Sequence, residues 1–288
     1  MIFYFQKLYN LFILKTIDNI PLFEERLSHL DQFIQELAGG YQKGKIKSWD
    51  DLELRVKTFF TPEMMDLTSS VVPHWQKMAS YADGITLTHV MCVFMGLYIM
   101  PEFLALSKEG QQIMKWVILF HDVEKKLQEG KRDYFHAFRS AVGAVRTLPK
   151  LGFPITTEFD SLIDEWDAYT QSAITKIEEH PDDVQDNRKL PKIIDGIERM
   201  FGHNTPTALI IKTILFHLSV PADEIWPPPN PLTNKEIKLY FDMELLPLLK
   251  VMNLGDNDGW AIFDPPTWEY QRLDTIKVFE KLERLLSE

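Results

Sequence analysis

Histidines and aspartates stand inside apolar runs of this chain in an order that could do chemistry. His89 lies in Leu87-Thr88-His89-Val90, and His121-Asp122 closes the run Trp116-Val117-Ile118-Leu119-Phe120. His136 opens His136-Ala137-Phe138-Arg139-Ser140-Ala141, and His217 sits in Leu215-Phe216-His217-Leu218. Asp256 and Asp258 follow in Asn253-Leu254-Gly255-Asp256-Asn257-Asp258-Gly259. Burying an unpaired imidazole or carboxylate costs on the order of several kcal/mol. Turning such groups toward one another, or toward a shared cation, offsets that cost. Imidazole nitrogens with carboxylate oxygens suit a divalent metal: Mn, Fe, Co, Ni, Zn or Mg, according to geometry. Asp256 and Asp258 are rivals for one ligand position. A continuing helix puts them on different faces, whereas a turn at Asp256–Gly259 would remove the argument for either. A plainer reading makes His89, His121 and His217 ordinary hydrogen-bonded core residues. His29, His74, His180 and His203 have no partner pattern and take no role.

The elements that must carry these residues read as helices. Apolar residues recur at a spacing of three and four from Leu22 to Leu37, and Gly39-Gly40 is expected to end that run. Trp49 to Phe60 reads as a helix opened near Ser48 and stopped near Pro62. Thr86 to Met100 is apolar on nearly every face and should be a buried helix, interrupted by Pro101. Gln111 to Phe120 is a second buried helix leading into His121, and Tyr134 to Leu148 follows after a charged loop. Glu158 to Glu179 reads as one amphipathic helix, with a polar loop from His180 to Leu190. Thr205 as N-cap and Pro206 at the first helical position open Pro206 to Val220. Five prolines between Pro221 and Thr233 exclude regular structure there. Asn234 to Leu254 is helical with a kink expected at Pro247, and Thr267 to Leu286 is the closing helix. No strand alternation stands out, although a short strand is compatible with Trp260 to Phe263.

Composition narrows the class. Only 13 of 288 residues are glycine, which favours long helices over a turn-rich β protein. One cysteine, Cys92, excludes an internal disulfide and any Cys-rich metal site, and fits a reducing cytoplasmic setting. A net charge of -11 excludes general nucleic-acid binding, which needs Lys and Arg against phosphate. No run reaches the roughly 18–20 apolar residues of a membrane span. The apolar stretch Met1 to Ile17 lacks a basic lead and a cleavage site, so it is expected to pack as a helix.

The order of lone histidine, His-Asp pair and late aspartate resembles the HD-domain superfamily of metal-dependent phosphohydrolases. His121-Asp122-Val123-Glu124-Lys125 is similar to that family's His-Asp-Ile-Gly-Lys segment, and His136-Ala137-Phe138-Arg139-Ser140-Ala141 to its His-Glu-x-x-Ser-Ala segment. The resemblance spans roughly His89 to Gly259. It departs from the family pattern at Glu124 and Ala137. It implies an all-α bundle over residues 81–288 with an N-terminal helical extension, 1–80, packed on it. His89, His121, Asp122 and Asp256 then become ligands of a first metal, with Asp122 bridging to a second. His136 and His217 match positions that hold the second metal or contact phosphate.

On this resemblance the reaction is attack of a metal-activated water on a phosphomonoester or phosphodiester, a nucleotide being the expected substrate. Asp122 would accept the water's proton. Lys125, a catalytic and substrate-binding residue, would steady the phosphate. Lys131, Arg132 and Arg139 lie close in sequence and could oppose phosphate charge. Trp226 could cover the pocket or stack on a base. The departures at Glu124 and Ala137 keep open an inactive, metal-binding regulatory or interaction protein on the same scaffold.

Overall fold

A computed structural model describes residues 20–77, 84–126, 133–176, 183–220 and 228–288. Met1 to Ile17, Lys131, Arg132 and Trp226 lie outside the described residues, as does most of the charged loop before Asp133. Among the described residues the fold is all-α, with 14 helices and one two-stranded sheet. No helix among them is long and apolar enough to cross a membrane.

The helices are α1 (Phe23–Arg26), α2 (Ser28–Gln42), α3 (Trp49–Phe59), α4 (Pro62–Val71), α5 (Ile85–Leu97), α6 (Pro101–Leu104) and α7 (Lys108–Phe120). They continue with α8 (His136–Thr147), α9 (Phe159–Thr170), α10 (Leu190–Phe201) and α11 (Pro206–Phe216). The last are α12 (Asn234–Tyr240), α13 (Leu245–Ala261) and α14 (Pro265–Ser287). Caps set many of the starts. Ser48, Thr61, Ser107, Thr205 and Thr233 each accept a bond from a backbone N–H of the first turn. Those bonds satisfy donors that a helix start leaves open.

The two helices expected to be buried are central. Every residue of α5 from Thr86 to Leu97 is buried, and so is every residue of α11 from Thr207 to Phe216. α13 packs along α5 and against α14, while α11 packs on α7 and α8. One continuous apolar cluster runs from Phe23 to Leu282 and includes Leu30, Trp75, Trp116, Ile211 and Leu249. Residues 20–77 therefore share a core with the rest. Trp116 Nε1 donates to Pro21 O at 2.9 Å, and Phe23 meets the Trp116 ring edge-on. Lys115 Nζ lies 3.0 Å from both Glu24 and Asp31, and Tyr98 donates to Asp31. That network ties α1 and α2 to the middle of α7 and the C-terminal end of α5.

Three elements differ from expectation. α2 runs through Gly39-Gly40 and stops at Gly44, whose φ of +64° supplies the left-handed residue that ends a helix. The helix expected over Glu158 to Glu179 ends at Thr170, and Ile174–Lys176 pairs antiparallel with Asp183–Gln185. Asp186 N–H bonds Ala173 O at 2.8 Å and closes the hairpin. The β-branched pair Ile174-Thr175 fits a strand better than a helix end. Finally, the helix expected over Asn234 to Leu254 breaks at Phe241–Glu244, before Pro247. Pro247 sits in the first turn of α13, where no intrahelical N–H is needed, so it does not kink the helix. α13 continues through Asp256–Gly259 to Ala261, so no turn forms at Asp256–Gly259 and no strand at Trp260–Phe263.

Candidate metal centre

Four helices and a helix start converge on the candidate site. His89 lies mid-way along α5, His121 follows the last residue of α7, His217 follows the last residue of α11, and His136 is the first residue of α8. Asp256 comes from α13 and Asp122 from the turn after His121. His89, His121, Asp122, His136 and His217 are buried.

Their donor atoms fall into two groups. His89, His121 and Asp256 offer atoms within 4.8 Å of one another, and so do Asp122, His136 and His217. His89 Nε2 lies 2.9 Å from Asp256 Oδ1, and His121 Nε2 lies 3.7 Å from the same oxygen. Asp122 stands between the groups. Its Oδ2 is 3.7 Å from His121 Nε2 and 3.9 Å from His89 Nε2, while its Oδ1 is 2.8 Å from His136 Nε2. Two ligands each about 2.1 Å from one ion can be no more than about 4.2 Å apart. Every pair just given meets that limit. The His121 and His217 rings are 5.6 Å apart between centroids, and His136 and His217 are 5.3 Å apart.

The histidine hydrogen bonds test whether this donor set fits a cation. His121 Nδ1–H donates to Ile118 O at 2.8 Å and His217 Nδ1–H donates to Ile214 O at 2.7 Å. His136 Nδ1–H donates to Asp133 O. A carbonyl oxygen only accepts, so in each ring Nδ1 carries a hydrogen; Nε2 of His121 and His217 keeps its lone pair, whereas Nε2 of His136 faces Asp122 Oδ1 at 2.8 Å. The buried Nε2 atoms of His121 and His217 have no hydrogen-bond partner among the described residues. A ring fixed through Nδ1 with a bare, buried Nε2 is how a protein presents a metal-ligating histidine.

Charge agrees. Burial pushes His121 down, and pushes His217 down to about 3 with His136 and His121 adding to the effect. Both rings are therefore neutral near pH 7. Burial alone would raise Asp122, but Lys125, His121 and His136 outweigh it and hold the carboxyl well below the usual carboxylate range. Burial likewise opposes ionisation of Asp256, yet the hydrogen bond and charge of His89 keep it low. Lys125 Nζ, 2.7 Å from Asp122 Oδ2, stays protonated: burial lowers it, and Asp122 and Asp256 raise it further. Two carboxylates, Asp122 buried and Asp256 partly exposed, thus face one ammonium, with neutral His121 and His217 beside them.

The remaining expected residues separate. Asp258 turns away, lying 3.5 Å from Arg272 and against Gly96, and burial pushes its carboxyl up to about 6 against the pull of Arg272. Lys125 joins the cluster. Arg139, expected to bind substrate, is engaged elsewhere: its guanidinium donates to Glu124 O at 3.2 Å and pairs with Asp133. Through Asp133, the carbonyl partner of His136, Arg139 steadies the turn that leads into α8. The side chain of Glu124 pairs with His74 at 3.2 Å.

Two residues of the site were not found in the sequence. Trp260, 50% exposed, stacks on His89 with centroids 4.2 Å apart and planes 15° apart. Trp49 of α3 stacks on Trp260 at 5.6 Å and 7°. Lys125 Nζ lies 5.8 Å from the Trp260 ring centroid. The Asp256 and Lys125 side chains are each 25% exposed, so the mouth of the cluster lies at Asp256, Lys125 and Trp260. Nothing in a period of three or four distinguishes these tryptophans from other apolar positions.

The chain was compared with known protein families, curated proteins and solved structures, and it matches none of them. This is an all-α protein with two adjoining buried His/Asp groups that could hold metal ions.

Proposed function

We propose that this protein is a metal-dependent phosphohydrolase of the HD type, acting on a phosphomonoester or phosphodiester, with a nucleotide as the expected substrate. The observation that carries the reading is the pair of buried triads with Asp122 between them, joining two potential cation sites across one carboxylate. The resemblance of His121–Lys125 and His136–Ala141 to HD segments supports the same reading. A divalent ion bound there would supply a Lewis acid toward a phosphoryl oxygen and lower the pKa of a coordinated water.

The chain's own residues divide the remaining work. His89, His121 and Asp256 hold the first position and His136 and His217 the second. Asp122, kept ionised by Lys125, serves as the shared ligand; a carboxyl held that low is a weak proton acceptor. Lys125 keeps its proton and faces the mouth, so its Nζ is the cationic group placed to meet an anionic phosphate oxygen. Arg139 orients Asp133, and through it His136.

The test is hydrolysis of p-nitrophenyl phosphate, bis-p-nitrophenyl phosphate and a nucleotide panel by purified protein. Activity that is lost on chelation, restored by Mn or Ni and absent from Asp122→Ala supports the reading. Bound metal with no turnover across the panel refutes the hydrolase and favours the inactive metal-binding alternative. Neither metal nor turnover refutes both.

A further inference from the structure

The four histidines of the cluster are not held in the same way. His121, His136 and His217 each direct Nδ1 to a carbonyl oxygen three residues earlier in the chain. His89 breaks the pattern. Its Nε2 is the atom bonded to Asp256, at 2.9 Å, and its buried Nδ1 has no partner among the described residues. An ionised carboxylate only accepts, so without metal His89 Nε2 carries a hydrogen directed at Asp256. Metal ligation through Nε2 requires that hydrogen to leave this atom. Among the described residues, no carbonyl or carboxylate is placed to fix the ring from the Nδ1 side.

What contacts His89 instead is aromatic and steric. The Trp260 ring lies nearly parallel to it at 4.2 Å, and Trp49 stacks on Trp260 in turn. On the Nδ1 side, the backbone of α13 comes so close at Gly259 that a Cβ there would lie 2.8 Å from Nδ1 and 2.7 Å from Cε1. A fully buried ring with no hydrogen bond on its outer nitrogen is thus held between a helix backbone and a stacked indole.

We propose that Trp260, backed by Trp49, is a positioning residue that takes the place of the missing Nδ1 hydrogen bond and sets the plane in which His89 presents Nε2 to the metal. The metal half of this statement rests on the function proposed above. A partner that orients a ligating histidine typically changes metal affinity 10–100-fold when removed. Trp49 belongs to α3, so this arrangement would also bring the N-terminal region, otherwise without a role, into the site.

The experiment uses the full chain and its Trp260→Leu, Trp260→Phe and Trp49→Leu variants. Zinc affinity is measured by calorimetric titration, and the imidazole resonances by 15N–1H correlation with and without zinc. In metal-free protein, His89 Nε2 should carry a hydrogen, while His121 and His217 show the Nδ1–H tautomer. Trp260→Leu should shift the His89 signals alone and weaken zinc binding roughly 10-fold or more. Trp260→Phe should restore both to near the parent value, because a phenyl ring still stacks. Trp49→Leu, at a half-buried surface position, should move the His89 signals in the same direction by less.

Unchanged His89 signals in Trp260→Leu overturn the proposal, as does Trp260→Phe behaving like Trp260→Leu. If Trp260→Leu does not fold, the Trp49→Leu spectrum decides: unmoved His89 signals overturn the proposal. A parent protein that takes up no zinc refutes the metal reading, while the metal-free spectra still judge the stacking.

Discussion

Gly259→Ala is the sharpest packing test of the site. Gly259 lies within α13, where alanine is ordinarily the better helix former by about 0.5–1 kcal/mol. Here the added Cβ would lie 2.5 Å from Val93 Cγ2 and 2.7 Å from His89 Cε1. Ordinary carbon contacts begin near about 3.5 Å, so the overlap approaches 1 Å on one side and is somewhat less on the other. Neither neighbour yields easily: Val93 is branched and fully buried, and the His89 ring is stacked on Trp260. Overpacking of this kind costs about 1–3 kcal/mol, and the two-sided clash points to the upper half of that range. After the helix gain, Gly259→Ala should destabilise by about 1–2 kcal/mol. Gly39→Ala is the control, because nothing lies within 4 Å of its Cβ position in α2. It should stabilise by up to about 1 kcal/mol. Urea unfolding of both variants gives the difference, expected near 2–3 kcal/mol, with unchanged m. Gly259→Ala should also lose zinc affinity, because His89 is displaced. If the two variants unfold at the same urea concentration, the close approach of α13 to α5 described here is wrong.

Three further outcomes follow from the charges and ligands. Metal-free protein should lose stability as pH falls from about 6.5 toward 4, because His121 and His217 bind protons in the unfolded chain but not in the fold. Each contributes a slope of about 1.4 kcal/mol per pH unit, and His217→Gln should remove one such contribution in pH-dependent urea unfolding; an unaltered slope refutes the neutral, buried assignment. Asp122 and Asp256 lie outside this window, since depressed carboxyls destabilise only below their unfolded value of 3.8, whereas Asp258, pushed up to about 6, gains a proton in the fold within it and offsets one histidine's slope. Mn at one hundred times its Kd should stabilise the parent by about 2.7 kcal/mol, and the rise in melting temperature should vanish in Asp122→Ala. Asp256→Asn should abolish that metal-dependent rise while Asp258→Asn keeps it, and the reverse would exchange their roles.

The convergence of the candidate residues was legible in the sequence because polar side chains inside apolar runs stand out against their surroundings. His89 within Thr86–Leu97 and His121 after Val117–Phe120 are polar groups in apolar surroundings, and the fold brings them together with Asp256. Asp256 was separable from Asp258 only once α13 was seen to continue, since helix rotation turns one toward His89 and the other toward Arg272. Caps were legible because their signals are local, as at Thr205-Pro206. The hairpin at Ile174–Gln185 was not, because three-residue strands depend on their partner and the segment before them carries a helical period. The end of α2 was misplaced at Gly39-Gly40 because glycine only permits a stop. The left-handed turn falls at Gly44, and a side chain at Gly40 would press on Ile46, 3.1 Å from the added Cβ. Arg139 and Trp260 show the limit of sequence proximity. Arg139 is near the ligands along the chain yet serves Asp133 and Glu124 O, whereas Trp260 is remote from His89 along the chain and lies against its ring.

The central claim is that divalent ions occupy the two groups joined by Asp122. Anomalous diffraction at the manganese edge, from crystals grown with Mn, tests it directly. The account predicts one peak bounded by His89, His121, Asp122 and Asp256, and a second bounded by Asp122, His136 and His217. Crystals with ordered side chains at these positions and no anomalous density between them would contradict it.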